Sequence, residues 1–403
     1  MESSRADFGA QRSVRPLTAG IVILIIVFGL LNNYQSVVLN SVVASYHLVG
    51  GAQGIMSSMI NIGSIAAYFS APALQGRLKK TSMLVIACVL LVASFFLLGQ
   101  TRLFTGMIIA SIIAGVGFGW MDTNCNAVMV DIHPEKSASY LGALHGGFGV
   151  GGLTAPLLIT ALLAMTTWHG ASFVMSGIIA CAGLAFLLIL AFSAKGAPPA
   201  PKEKPLTREM VKAYLFRRKN ALMLVAAMLY AVTQSGLIVW IVRYMTLRYN
   251  AEALGSAALS IYWICATLSR FFAPRLPVRP LRLFFVGMVL MCVFQTVGVL
   301  SGNPIVMCVM VGVVGIVSGH SVPILLSEAS SGQQENSSLV ASSFLVSMCF
   351  LRSITPVFMG FLADWTNVSV MMLTPAAGGA LAALIAWVML RDERREGVLV
   401  PVQ

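Results

Sequence analysis

Apolar runs alternate with short polar breaks along almost the whole chain. The runs cover residues 17–40, 52–76, 82–99, 105–129, 139–165, 171–193, 221–245, 254–275, 281–300, 304–326, 338–363 and 370–391. A bilayer core of ~30 Å takes roughly 20 apolar residues of helix, so each run predicts one membrane-spanning helix. The polar residues inside the runs recur at intervals of three and four, the spacing that lines one face of a helix. The first run begins after Pro16. It is longer than the apolar core of a signal peptide and has no small-residue cleavage site, so it reads as a retained span. Composition changes little in this picture: 58% of the 403 residues are hydrophobic and 10% are charged, too few charges to cover a soluble surface. The expected fold is an all-α membrane protein with twelve transmembrane helices.

Charge adds orientation. The net charge of +12 would suit a nucleic-acid partner, but its distribution argues against one. With the N-terminus inside, 22 of the 26 Lys and Arg fall in inner loops, three (Arg102, Arg243, Arg248) fall outside, and Arg352 lies within a span. That asymmetry places both termini in the cytoplasm by the positive-inside rule, in what reads as the inner membrane of a bacterium. All seven cysteines lie inside spans. An odd number with none in an outer loop speaks against a disulfide framework, and they read as small apolar fillers.

Between the sixth and seventh runs the composition shifts abruptly to AKGAPPAPKEKPLTREMVKAYLFRRKN, residues 194–220. Its Pro-rich start favours an extended chain. Its second part, with Leu206, Met210, Tyr214 and Leu215 among basic residues, is either a helix lying on the inner leaflet or a basic tether. This linker separates an N-terminal six-helix half, residues 1–193, from a C-terminal half with a short cytoplasmic tail, residues 221–403. The halves share punctuation. SAPALQGRLKK closes the second run and FAPRLPVRPLR the eighth; Gly115 to Gly119 matches Gly315 to Gly319; Pro156 matches Pro356. Two similar six-helix halves are the hydropathy pattern of a major-facilitator-type transporter, in which substrate binds near the midplane between repeats. A receptor or scaffold has no physical need for the duplication, and a membrane-embedded enzyme or sensor built on the same helices is the remote alternative.

Functional residues should be the polar groups that interrupt the apolar runs. In the fourth run Ser111, Gly115, Gly119, Asp122 and Asn126 share one face. Asp122 sits ~12 Å from the inner end and is the carboxylate set well inside a span, which suits it to carry a coupling proton. A structural pair with Arg352 or a backbone group is the other reading. The first run carries Gly29, Asn33, Ser36 and Asn40 on one face, with Asn32 and Gln35 beside it. Amides that both donate and accept suit a polyhydroxylated solute, or else they bond between helices. Arg352 lies ~20 Å from the inner end of the eleventh run. Its counterpart in the first half is Gly152, so the repeat does not require a cation there. It either pairs with Asp122 or grips an anionic group of the substrate. Tyr230 and Gln234 in the seventh run, Tyr262 in the eighth and His320 in the tenth complete the candidate binding set, since aromatic faces beside amides suit a sugar-like ligand.

The fifth run opens Leu144-His145-Gly-Gly-Phe-Gly-Val-Gly-Gly152. No strand precedes it, so it is not a nucleotide loop. Gly142 with Gly146 and Gly147 with Gly151 make two small-xxx-small pairs for close helix packing. His145, Gly146 and Gly149 are therefore gating or packing candidates. Asp131-Ile-His133-Pro-Glu135 has no second ligand set nearby in sequence, so no metal or cofactor is expected.

Phe28-Gly-Leu-Leu-Asn-Asn-Tyr-Gln-Ser-Val-Val-Leu39 and Gly119-Trp-Met-Asp-Thr-Asn-Cys-Asn126 resemble the fucose permease-like sugar:proton symporters of the major facilitator superfamily. The resemblance implies proton coupling at Asp122 and a shared amide pair at Asn32 and Asn33. The group's second coupling acid would fall on Ser36 and a common seventh-span glutamate on Gln234. Gly76-Arg-Leu-Lys-Lys80 keeps the bases of the superfamily's loop signature and lacks its acid. Residues 105–121 hold no Arg, unlike drug:proton antiporters. The expectation is a monomeric secondary transporter, not an enzyme. It would move a small polar, sugar-like solute with protons, or alternatively a sugar acid or other organic anion held by Arg352. Membrane lipid would be its surroundings.

Overall fold

The computed structural model describes residues 2–75, 77–133, 137–193, 208–330 and 337–395. Residues 194–207 of the expected linker, Gly76, Pro134–Lys136 and the tail from residue 396 lie outside them. Among the described residues all regular structure is helical. The chain divides into two compact units, Met1–Val42 with Met59–Lys204, and Val43–Ser58 with Pro205–Gln403.

The first unit contains α1 (Glu2–Asn32), most of α2 (Tyr34–Tyr46), α3 (Ile55–Gln75), α4 (Lys80–Gln100), α5 (Phe104–Ile132), α6 (Ser137–Met165) and α7 (Trp168–Ser193). Here α1 packs on α6 and α7, and α4 packs on α5 and α7. The second unit contains α8 (Arg208–Phe216), α9 (Arg218–Tyr249), α10 (Glu252–Phe272), α11 (Pro280–Leu300), α12 (Pro304–Ser318), α13 (Ser321–Ser330), α14 (Ser337–Trp365), α15 (Val368–Met371) and α16 (Thr374–Arg395). Here α9 packs on α14 and α16, and α11 packs on α12 and α16. Helices at corresponding places in the two halves choose corresponding neighbours, so the repeat read from punctuation is also a repeat of packing.

The matched glycines explain part of it. A Cβ on Gly115 would stand 2.0 Å from the Ile60 carbonyl oxygen, and one on Gly119 would stand 2.5 Å from the Ala67 Cβ. A Cβ on Gly315 would stand 2.6 Å from the Tyr262 carbonyl oxygen, and one on Gly319 would stand 2.5 Å from the Ala266 Cα. Glycine thus brings α5 against α3, and α12 against α10, backbone to backbone, as small residues do between membrane helices. On α6, Gly151 meets the Ile26 carbonyl in the same way, whereas Gly142 faces open space. The close contact therefore comes from the Gly147–Gly151 pair, and Gly142 takes no part. Gly115→Ala is expected to cost about 3 kcal/mol by overpacking against a carbonyl that cannot yield. Gly142→Ala should be neutral, and thermal unfolding in detergent compares the two.

Among the described residues, ten helical segments are long and apolar enough to cross a membrane. The helices in the second and eighth places, α3 and α10, are each 21 residues long but carry more polar positions, among them Ser57, Asn61, Ser64 and Tyr68 on α3. Several spans are interrupted. The first breaks at Asn33, whose Nδ2 donates to the Gly29 carbonyl at 2.9 Å, a local bond that competes with the helix ladder. The tenth breaks at Gly319-His320, where α12 ends and α13 begins. Pro323 is the cause: it has no N–H for the carbonyl four residues earlier. That carbonyl belongs to Gly319, and the Arg270 Nε donates to it instead at 3.1 Å.

A short turn, Gly50–Gly54, packs on α14 within the second unit. A Cβ on Gly54 would lie 2.2 Å from the Pro356 backbone, and one on Gly360 would lie 2.3 Å from the Gly50 carbonyl. Gln53 Oε1 accepts from Arg243 Nε at 3.2 Å. The part of the linker region that is described forms α8. It docks through the buried Tyr214, whose carbonyl accepts from Asn220 Nδ2 at 3.0 Å. Burial pushes the Tyr214 phenol above its ordinary pKa, so it anchors as a neutral side chain.

Candidate functional site

In the first unit the chemistry centres on Asp122, half-buried on α5. The Tyr68 hydroxyl of α3 donates to Asp122 Oδ2 at 3.1 Å. Asn126, one turn further along α5, donates from Nδ2 to Asp122 Oδ1 at 3.1 Å and to the Asp122 carbonyl at 2.8 Å. Each carboxylate oxygen thus meets a fixed neutral donor, which holds the group in one rotamer while leaving its charge uncompensated by these two partners. A wall of aromatic rings lies on the same unit: Phe28 stands 5.4 Å from Phe118 and 5.1 Å from Phe148, centroid to centroid. Asn32 is half-buried at the end of α1, and Asn33 occupies the break that follows. Ser36 is fully buried, and its hydroxyl has no hydrogen-bond partner among the described residues.

Tyr68 was missed from sequence, although a signal was present. Ser57, Asn61, Ser64 and Tyr68 are spaced four, three and four residues apart, a polar stripe on one helical face. The stripe holds no charged residue, so nothing along it points to a carboxylate on another helix. Tyr68→Phe removes the donor to Asp122 Oδ2 and keeps the ring. If Asp122 carries the coupled proton, the change should move the pH profile of solute uptake upward by roughly one to two units, the worth of one hydrogen bond to a charged acceptor. Uptake rates measured across pH in proteoliposomes would show it.

In the second unit four sequence-selected residues meet. Tyr230 and Gln234 on α9, Tyr262 on α10 and Arg352 on α14 form one polar cluster among apolar spans. Arg352 Nη2 donates to Gln234 Oε1. The Tyr262 hydroxyl faces Gln234 and Ser318, and the buried Tyr230 hydroxyl has no hydrogen-bond partner among the described residues. Tyr230, Gln234 and Tyr262 are buried, and Arg352 is half-buried. Gln234 therefore stands between the guanidinium and the Tyr262 phenol. His320 lies apart from these contacts: it is buried, with Nδ1 2.9 Å from Ser269 Oγ at the break in the tenth span.

The remaining candidates divide by position. On α6, His145 is exposed, Gly146 half-buried and Gly149 buried. His133 stacks on Tyr140 with centroids 3.5 Å apart, and its Nε2 lies 2.8 Å from Thr18 Oγ1. Asp131 pairs with Lys80 at 3.0 Å. The loop between the second and third spans lacks its own acid, and Asp131 at the end of α5 supplies one to Lys80. No group of three or more His, Cys, Asp or Glu side chains suited to a metal occurs among the described residues.

Apolar spans repeated as two units, each with polar side chains gathered inside it, define an integral membrane protein of the transporter type. Residues 21–351 match the family model of the Major Facilitator Superfamily, and the chain belongs to that superfamily. No curated protein matches it in sequence. Among solved structures it resembles a bacterial homolog of the human lysosomal transporter Spinster, with a TM-score of 0.73 at 14% identity, covering 95% of this chain and 97% of that one. The nucleoside transporter NupG gives a TM-score of 0.71 at 13% identity, covering 93% and 99%. FucP, the fucose:proton symporter of E. coli, gives 0.67 at 16% identity, covering 92% and 98%. At these identities the likeness establishes the fold.

Proposed function

We propose that this protein is a secondary active transporter that moves a small polar, sugar-like solute by alternating access, with protons coupled through Asp122. The observation that carries the reading is the meeting of Tyr230, Gln234, Tyr262 and Arg352 from three separate helices. Such a convergence of donors, acceptors and ring faces inside apolar spans is what a polyhydroxylated ligand requires. Asn32, Asn33 and Asn126 are the matching contacts assigned to the first half, and His320 an additional one. His145, Gly146 and Gly149 serve gating or packing. Asp122, held by Tyr68 and Asn126 and set in a span, is the group fitted to exchange a proton during the cycle. Support for a sugar and for protons also comes from the likeness to the fucose:proton symporter. We place the halves at residues 1–193 and 221–403, joined by the linker 194–220, with twelve spans, both termini cytoplasmic, and a monomer in a bacterial inner membrane.

A second reading rests on Arg352. A permanent cation in the cluster favours a sugar acid or another organic anion, moved by facilitation or exchange. Uptake of a panel of labelled sugars, nucleosides and sugar acids into proteoliposomes, with and without an inward proton gradient, tests both readings. Accumulation of a neutral sugar only when the gradient is present is the result expected. Gradient-independent exchange restricted to anions would replace the first reading with the second. A panel that is not moved at all would reject both.

A further inference from the structure

The end of the second unit where α9 begins and α16 ends carries a surface that the transport reading does not use. Two basic runs far apart in the sequence come together there. The Arg218 Nε bonds Asp392 Oδ2 at 2.9 Å, which sets Arg217, Arg218 and Lys219 beside Arg391, Arg394 and Arg395. All six side chains are exposed. The nearby acids are fewer: Asp392, already engaged by Arg218, and Glu393. Apolar rings flank these cations. Phe216 is 84% exposed and Trp387 is 47% exposed, and the Arg391 guanidinium sits 5.6 Å from the Trp387 ring centroid.

We infer that this surface binds the headgroups of anionic phospholipids, with the acyl chains lying against Phe216 and Trp387. The chemistry selects lipid over a soluble anion. A free polyphosphate or an acidic peptide would neutralise the guanidinium groups but leave both rings in water. A phospholipid satisfies both, because its charged and apolar parts are joined at the level where a bilayer joins them. The covalent geometry supports the placement: α8 ends at Phe216 and α9, a membrane span, begins at Arg218, so one residue separates the short helix from the bilayer. Basic side chains at such a level attract anionic headgroups additively, and arginine forks match phosphate oxygens two at a time. Neither run alone gathers six cations. The Arg218–Asp392 pair makes them one surface, so its role is to assemble the patch.

The test needs no transport substrate, so its outcome is separate from the fate of the transport reading. Native mass spectrometry of the full-length protein, exposed to equal amounts of phosphatidylglycerol and phosphatidylcholine, reads which lipid is retained. Wild type should retain the anionic lipid about tenfold more, and Arg217→Gln with Lys219→Gln and Arg394→Gln should bring the ratio to about twofold or less. This variant keeps Arg218, Asp392 and Arg391, so the assembling bridge and the ring contact stay. A control that replaces Arg275, Arg279 and Arg282 by Gln should keep the wild-type ratio. As a second readout, the part of the tryptophan fluorescence lost in Trp387→Phe should be quenched more by acyl-brominated phosphatidylglycerol than by brominated phosphatidylcholine. Equal retention of the two lipids by wild type would overturn the proposal. So would an unchanged ratio in the triple variant, an equal loss in the control, or equal quenching by the two brominated lipids.

Discussion

Asp122→Asn is expected to abolish accumulation driven by a pH gradient while leaving exchange of solute across the membrane largely intact. The asparagine keeps the shape of the carboxyl group and one of its two acceptor oxygens, puts an NH2 donor in place of the other, and cannot carry a proton. Exchange returns a loaded carrier to where it began and needs no net proton transfer, so it survives. Net accumulation needs the proton to be taken up on one side and released on the other, so it fails. In numbers, the internal to external ratio should fall to about 1, because a carrier without coupling can only equilibrate its solute. The neighbourhood of Asp122 makes the substitution mild. The Tyr68 hydroxyl and the Asn126 amide can each bond the new side chain after an amide rotation. Accumulation by the variant that matches wild type would mark Asp122 as a structural residue. Wild-type uptake that is indifferent to pH and to an uncoupler would remove coupling altogether.

The second large effect is expected at Arg352. Arg352→Gln should weaken binding of anionic solutes such as sugar acids by about 10- to 100-fold, the range of a charge-assisted hydrogen bond to a carboxylate. Neutral sugars should lose no more than about tenfold, the worth of one neutral hydrogen bond. The measurement is competition by a matched sugar and sugar acid against a labelled solute in proteoliposomes. The structure supplies the alternative outcome. Arg352 donates to Gln234, which in turn reaches the Tyr262 hydroxyl. If both solutes lose affinity equally, Arg352 acts by holding Gln234 and the phenols in place and does not touch the substrate. Gln234→Ala should then reproduce the loss, and the anion reading should be abandoned.

How much of this was legible beforehand differs from residue to residue. Asp122 and Arg352 announce themselves because a charge in an apolar run is costly and needs a reason. Tyr230, Gln234 and Tyr262 were chosen singly, as polar groups away from the predicted interfaces, and nothing in their spacing joined α9 to α10 and α14. His320 was chosen on the same grounds, yet it sits with Ser269 at a helix break, because Pro323 opens the ladder there. Tyr68 lies in a run with no charge to draw attention to its polar stripe, and only the packing of α3 on α5 gives it Asp122 as a partner.

The sequence by itself determined the class of protein. Run length, scarcity of charge and the matched glycines and prolines of the two halves follow from the bilayer and from backbone sterics, which act locally and leave a periodic record. Tertiary structure alone decided which polar side chains meet, which glycines touch a neighbouring backbone and which face open space. It also assigned Val43–Ser58 to the second unit and brought Arg218 to Asp392. These outcomes depend on contacts between helices distant in sequence. Such contacts are set by the rotation and depth of each helix against its neighbours, and the pattern along any one helix does not record them.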